Sequence, residues 1–374
     1  MQTTQHHAIG KSVLRLEDGP LIRGEGRFVD DLKFAGMLEA AFVRSPHAHA
    51  GIRGINTDVA RRLPGVHAVL TSSDLAPLLT QERLPLQFRT DQLPQDVAPF
   101  VLAKDEVVFV GEAIALVVAK TRAIAEDAAA LVEVDYEPLP AISDCRAALR
   151  PGAPLAHRRK SSNLLIEFRQ AYGDAAAAFA RAPHRVRVNL KQHRGGAHSM
   201  EGRGAAAVYD VNEDHLTLWS STQLAHEVRA FLMRLLRLDE NRVRVVAPDV
   251  GGGFGGKFVL YPEEVAVAAA SLRLRRPVKW IEDRREHFCA CVQERDQYWD
   301  MEAAFDDEGR VLGVRGELIH DQGAYTPQGL NLPYNTSTGV PGPYIVPAYD
   351  LWVRVVETNK VATMPVRGAG YPEA

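Results

Sequence analysis

Cysteine is scarce, with three in 374 residues: Cys145, Cys289 and Cys291. That is too few, and too unevenly spaced, for a disulfide framework in a chain of this length. On a strand, Cys289 and Cys291 would face one side, but a metal site needs about four ligands and only His287 stands near them. These cysteines read as structural. Long apolar runs are missing too. The longest nearly uncharged one, Ala113 to Ala119, falls far below the ~18 residues that span a bilayer, so no transmembrane helix and no membrane partner are expected. A basic surplus is also absent, since 44 Lys and Arg stand against 47 Asp and Glu for a formal net charge of -3. Without a basic block in either half, a nucleic-acid partner has no electrostatic support. Met1 to Gly10 hold neither a basic n-region nor an apolar h-region, so no secretory signal is expected and the reading is cytoplasmic.

What is present is ordinary for a globular chain: 46% apolar and 24% charged residues. That composition excludes a disordered or fibrous protein. At ~150 residues per domain, two or three domains are expected. Residues 1–17 read as a loose lead-in. Residues 18–143 hold strand-like runs at Met37 to Val43, Val66 to Thr71, Val107 to Val110, Ala113 to Ala119 and Leu131 to Tyr136. An Ala-rich helix is expected over Thr121 to Val132, with a Pro-dotted surface excursion over Leu84 to Pro99. Residues 144–163 read as a linker, with Arg158-Arg159-Lys160 a solvated face. The second domain, 164–374, shows strand-like runs at Arg185 to Leu190, Ala205 to Tyr209, Leu216 to Ser220 and Val243 to Ala247. Helices are expected over Ala225 to Leu236 and Pro262 to Leu274, and strands return at Val278 to Glu282, Val311 to His320 and Leu351 to Glu357. The class is α+β, without repeats.

The densest signal is Gly251-Gly-Gly-Phe-Gly-Gly-Lys257, between an expected strand and an expected helix. Glycines this crowded lose backbone entropy and pack nothing, so something comes close to that backbone. Gly251, Gly253 and Gly256 satisfy the Rossmann fingerprint, with Glu282 and Asp283 ending the next strand, yet any run this dense matches by chance. Gly251, Gly256 and Lys257 also fit a Walker A loop, but Phe258 stands where a Ser or Thr hydroxyl would bind Mg²⁺. A non-catalytic scaffold is the third alternative.

The loop resembles the molybdenum-cofactor loop of the xanthine dehydrogenase and aldehyde oxidase family. Phe28-Val-Asp-Asp-Leu32, Arg44-Ser-Pro-His-Ala-His-Ala50, Pro64-Gly-Val66, Val110-Gly-Glu112 and Val134-Asp-Tyr-Glu-Pro-Leu-Pro140 resemble that family's α/β hammerhead domain. Ser220-Ser-Thr-Gln223, Trp280-Ile-Glu-Asp-Arg-Arg-Glu-His287, Thr358-Asn359 and Arg367-Gly-Ala-Gly370 follow in the family's order. The resemblance implies a hammerhead domain followed by the first part of a molybdenum-cofactor-binding domain, the N-terminal half of a large subunit.

It also implies roles. Gln223 would donate its amide to an oxo ligand, and Arg367 would favour negative oxygen. Gly252, Gly253, Phe254 and Gly255, with Gly368 and Ala369 of the second loop, would bind the cofactor through backbone amides. Phe254 would seal one side against water. No residue here is expected to ligate the metal directly. Met200-Glu-Gly-Arg203 resembles a Met-Glu-Pro-Arg signature and reads as scaffold, and His47 and His49 read as structural.

Phe258 and Ala369 would line the substrate channel. Purine-oxidising members have glutamate in place of Phe258 and an aromatic in place of Ala369, so xanthine is disfavoured. Carbon monoxide chemistry is disfavoured as well, because no cysteine lies within Leu330 to Ala374. An aldehyde or an aromatic N-heterocycle remains. The cofactor expected is molybdenum with molybdopterin in its cytosine dinucleotide form. A 2Fe-2S subunit, an FAD subunit and the C-terminal half of the large subunit, in the same or a separate chain, are the expected partners. That half would supply the catalytic glutamate.

Overall fold

Every residue of strand Ala113–Ala119 is buried. It runs antiparallel to Leu38–Arg44 on one side and to Val66–Thr71 on the other. With both faces covered, apolar residues follow one another without alternation. Leu116 and Val118 pack toward helices Ala225–Leu236 and Pro262–Leu274, while Val117 and Ala119 pack toward helix Arg122–Ala130. The computed structural model describes residues 9–93 and 95–374. Of the expected lead-in, residues 1–8 lie outside the described residues, and 9–17 are exposed without helix or strand. No helix among the described residues is long and apolar enough to cross a membrane.

Seven strands form this sheet, in the order Val243–Val246, His215–Ser220, Gly204–Asp210, Val278–Ile281, Leu38–Arg44, Ala113–Ala119, Val66–Thr71. Its seam is a short parallel pairing, Leu38 opposite Val278 and Glu39 opposite Lys279. One sheet thus runs through both halves of the chain. A second sheet of five strands orders Leu164–Tyr172, Tyr349–Glu357, Val311–Gly323, Gln297–Phe305 and His184–Gln192. The mixed helix and strand content is the α+β class expected.

Several local expectations need correction. Only Glu106–Val107 pairs where a strand to Val110 is expected, because the Val108 N–H turns to donate to Glu112 Oε2 (2.7 Å). Leu131 caps its helix, so the next strand starts at Glu133. Cys289 lies on helix Arg284–Ala290 and Cys291 just beyond it, so they do not share a strand face. Lys160 is no free solvated charge, since its Nζ donates to buried Glu357 (2.6 Å). The stretch 144–163 is stitched down rather than loose. Asn163 accepts from the Ala156 N–H and donates to the Ala148 and Pro154 carbonyls, while Asn359 donates to Val108 O and Ala156 O. His49 is buried, with its ring nitrogens on Pro140 O and Glu106 Oε1, both at 2.7 Å.

Below the seam lies a buried ion network. Arg203 bonds Glu282 through Nε (2.8 Å) and Glu263 through Nη1 (3.1 Å), with its guanidinium 4.0 Å from the Tyr261 ring centroid. Glu263 also meets Arg44 Nη2 (2.9 Å), which carries the network into strand Leu38–Arg44. Removing one member of such a set strands the others in a low dielectric. Arg203→Leu is therefore expected to lower unfolding free energy by about 3–5 kcal/mol. Denaturant titration checks this, and a loss within experimental error would show that Glu263 and Glu282 rehydrate freely.

Candidate functional site

Strand His215–Ser220, one in from the edge of the large sheet, leads at its C-terminal end into Ser220 to Gln223, where each hydroxyl finds a partner. Ser220 Oγ donates to Glu264 Oε1 (2.5 Å), Ser221 Oγ accepts from the Gly204 N–H (2.9 Å), and Thr222 Oγ1 accepts from the Leu224 N–H (3.1 Å). Gln223 is held by the glycine loop through both backbone and side chain. Its N–H donates to Lys257 O (2.9 Å), and its Oε1 accepts from the Gly255 N–H (2.9 Å). With the carbonyl end engaged, the exposed NH₂ end has no partner among the described residues.

Parallel to that strand runs Val243–Val246, which opens into the glycine loop. A Cβ on Gly253 would sit 2.5 Å from Gln223 Oε1, and one on Gly255 would strike the Pro365 carbonyl. Glycine is required at such approaches. Gly252 lies against Ser199 and the Phe254 ring. Phe254 has φ 53°, a left-handed conformation that costs a non-glycine residue about 1–3 kcal/mol and gathers at functional sites. The N–H groups of Gly252, Gly253 and Phe254 have no hydrogen-bond partner among the described residues.

The second loop meets the first. Arg367 N–H donates to Phe254 O (2.8 Å), and the guanidinium carbon lies 5.7 Å from the Phe254 ring centroid. Arg367, Gly368, Ala369 and Gly370 all have positive φ, and Asn335 Nδ2 donates to Ala369 O (2.9 Å). The fold thus brings Gln223, Gly253, Phe254, Gly255 and Arg367 together. Phe254 is 45% exposed beside an exposed Arg367. Phe258 is also exposed. Its carbonyl accepts from Gln328 Nε2 (3.4 Å), and no hydrogen bond joins it to Ala369 among the described residues.

The dinucleotide and phosphate readings lose their key residues. Lys257 is buried and donates to Glu201 Oε2 (2.8 Å) rather than facing an open loop. Glu282 is spent on Arg203 and His287. Unpartnered N–H groups, a free amide NH₂ and a guanidinium make a donor-rich cradle for an anionic, oxygen-bearing ligand. An oxo-metal cofactor has that chemistry, so the residues fit it.

These features define a cofactor-holding α+β protein built for an oxyanionic group. Residues 156–374 match the molybdopterin cofactor-binding domain, and residues 23–140 match the aldehyde oxidase and xanthine dehydrogenase a/b hammerhead domain. The chain belongs to the xanthine dehydrogenase and aldehyde oxidase family. It is 40% identical to the nicotine 6-hydroxylase large subunit of Paenarthrobacter nicotinovorans, over 98% of this chain and 45% of that protein. It is 38% identical to the carbon monoxide dehydrogenase large chain of Afipia carboxidovorans, over 93% of this chain and 44% of that one. The crystal structure of quinoline 2-oxidoreductase from Pseudomonas putida 86 superposes with a TM-score of 0.91 at 39% identity, covering 97% of this chain and 46% of that one. The chain thus spans about half the length of these relatives.

Sequence reasoning misses the part played by Glu201, which reads as scaffold, and by Asn335. Glu201 lies 56 positions from its partner Lys257, so only folding reveals the pair. Its nearest sequence signal is the acid in the Met200-Glu-Gly-Arg203 signature itself.

Beneath the loops, several buried groups carry shifted protonation. Burial would raise Glu282, but Arg203 and His287 overcome it and hold the carboxyl at about 2. Burial works against the charge on His287, yet the nearby Cys291 thiol and the Glu282 carboxylate bonded to its Nδ1 raise it from 6.5 to about 9. Burial lifts Glu264 to about 7 against the bonds from Ser220 and Tyr261. A raised folded-state value means stabilisation present below the unfolded value and lost as pH climbs through the folded one. For His287 that window runs from 6.5 to about 9. Unfolding free energy is accordingly expected to decline across it, and His287→Gln to flatten the decline. An unchanged slope in the variant, measured by urea titration at each pH, would mean His287 is neutral in the folded protein.

Proposed function

We propose that this chain forms the N-terminal part of the catalytic large subunit of a molybdenum hydroxylase that oxidises an aromatic N-heterocycle or an aldehyde with water as oxygen source. The observation that carries the reading is the meeting of Gln223, the Gly252–Gly255 amides and Arg367 around unpartnered donors. Boundaries of 18–143 for the hammerhead domain, 144–163 for the connector and 164–374 for the cofactor domain accompany it. When bound, the molybdenum cofactor supplies a two-electron redox centre. The chain's own part is placement. Gln223 presents its NH₂ outward because Gly255 occupies its oxygen. Arg367 adds positive charge beside Phe254 and favours negative oxygen there. Gly368 and Ala369 offer further backbone donors.

Relatives named for nicotine and for quinoline favour a flat N-heterocycle over an aldehyde. Phe258 suits that choice. An aromatic wall contributes ~0.5–1.5 kcal/mol beyond burial to a flat ligand, whereas each unpaired polar group on a purine costs ~1–3 kcal/mol. The rest of the assembly follows the family: a C-terminal half carrying the glutamate base, 2Fe-2S and FAD subunits to carry electrons away, a cytosine dinucleotide form of molybdopterin, and a cytoplasmic setting.

Two outcomes are expected. Purified without its partner half but supplied with cofactor, the chain should turn over no aldehyde or heterocycle, because in this reading the C-terminal half supplies the base. Any turnover above a heat-treated control removes that argument. In the assembled enzyme, Phe258→Glu should shift the kcat/KM ratio toward hypoxanthine at unchanged molybdenum content. An unchanged ratio takes Phe258 out of the channel, and lost molybdenum assigns it to cofactor packing.

A further inference from the structure

We propose that Glu201 is a positioning residue that closes the glycine loop into a ring and thereby aims its free amides. The proposal rests on the cofactor reading above and deepens it. One carboxylate oxygen, Oε2, accepts from the Gly251 N–H at one end of the loop and from Lys257 Nζ at the other, each at 2.8 Å. The backbone reinforces the clip, since Glu201 N–H donates to Gly251 O (3.1 Å). A Cβ on Gly251 would sit 2.5 Å from Glu201 Cβ, so the glycine exists to let the two segments touch.

Glu201 is itself held from behind. Ser199 Oγ donates to Glu201 O (2.6 Å), and Arg284 Nη2 donates to the carbonyls of Ser199 and Met200, both at 2.9 Å. The clip therefore stands on helix Arg284–Ala290, whose own cap residue Asp283 accepts from the Glu286 N–H (2.7 Å). Lys257 has lost most of its water, with 3% exposure, and Glu201 is the acid it meets. A buried ammonium left alone is costly, so the pair forces Lys257 inward and leaves the arc from Gly252 to Phe254 on the outside. Glu201 accepts from none of the N–H groups of Gly252, Gly253 and Phe254 among the described residues. Its effect passes through the shape of the arc.

The test uses the assembled enzyme, with Glu201→Ala, Glu201→Gln and Glu201→Asp beside wild type. Amide hydrogen exchange over residues 251–257 should accelerate at least tenfold in Glu201→Ala, while strands of the large sheet keep their protection. Molybdenum per subunit should fall, and in the molecules that retain it kcat should drop at least tenfold with substrate KM little changed. Glu201→Gln keeps an acceptor without the charge and should fall between, so the series stays readable if the alanine variant misfolds. Glu201→Asp should recover part of the loss, as a merely space-filling role would not. Wild-type exchange rates in the loop of Glu201→Ala and Glu201→Gln, with full molybdenum and unchanged kcat, overturn the proposal. Wild-type enzyme purified without molybdenum overturns the cofactor reading instead and leaves the exchange result to decide the role of Glu201.

Discussion

The Arg203 guanidinium sits where the helix that follows the glycine loop has its footing on the large sheet. It is buried between Glu282, at the end of strand Val278–Ile281, and Glu263, in the first turn of helix Pro262–Leu274. The same helix begins within a few residues of the glycine loop, so its first turn sets where the loop ends. Glu263 passes the constraint to Arg44 on the strand that joins the two halves of the chain into one sheet. An ion set of this kind adds little net stability compared with apolar packing, but it punishes displacement, because any member moved alone leaves an uncompensated charge. That makes it a fixture for geometry rather than a reserve of energy.

On this rigid base the glycine loop is deliberately under-bonded. Its ends are clipped by Glu201 and its middle is braced by Gln223 and by the Arg367 N–H on Phe254 O. Between those braces, three successive N–H groups find no partner among the described residues. Unmade backbone hydrogen bonds are tolerated because the arc is open to solvent, and they are what a bound anion would complete. The left-handed conformations at Phe254, Arg367 and Ala369 are the strain that keeps both arcs turned outward.

What could be read from sequence tracks the range of the interactions. Val66–Thr71, Ala113–Ala119, Ala225–Leu236 and Pro262–Leu274 lie where local pattern puts them, because buried strands and apolar helices advertise themselves over a few residues. Gln223, the glycine loop and Arg367 were legible through family motifs, and the fold brings them together. Helix Asn331–Gly339 was not legible, since a run of Asn, Pro, Thr and Gly has little helix propensity and is held by contacts such as Asn335 to Ala369 O. The Leu38–Val278 seam, Lys160 on Glu357 and Glu201 on Lys257 are pairings between distant residues with no local trace. Conversely, Lys257 fits the Walker A pattern that Phe258 already argues against, and a one-dimensional motif cannot show that its ammonium points inward to Glu201.

This division of labour bears on how substrate choice can vary within one scaffold. In the proposed reading backbone amides hold the loop's ligand, and an amide is the same whatever side chain it carries. Cofactor holding is therefore insulated from most substitution outside the glycines and the residues that clip and brace them. On that reading, this chain's contribution to selectivity comes from the few side chains that leave the cradle toward solvent. Phe258 is one, standing one residue past buried Lys257 and anchored only through its backbone, by its N–H to Gly255 O (2.9 Å) and its carbonyl to Gln328. Its side chain carries no bond that the loop depends on among the described residues. In the proposed reading a change there alters what faces the substrate, and the side chain takes no part in the Glu201 clip or the Gln223 brace.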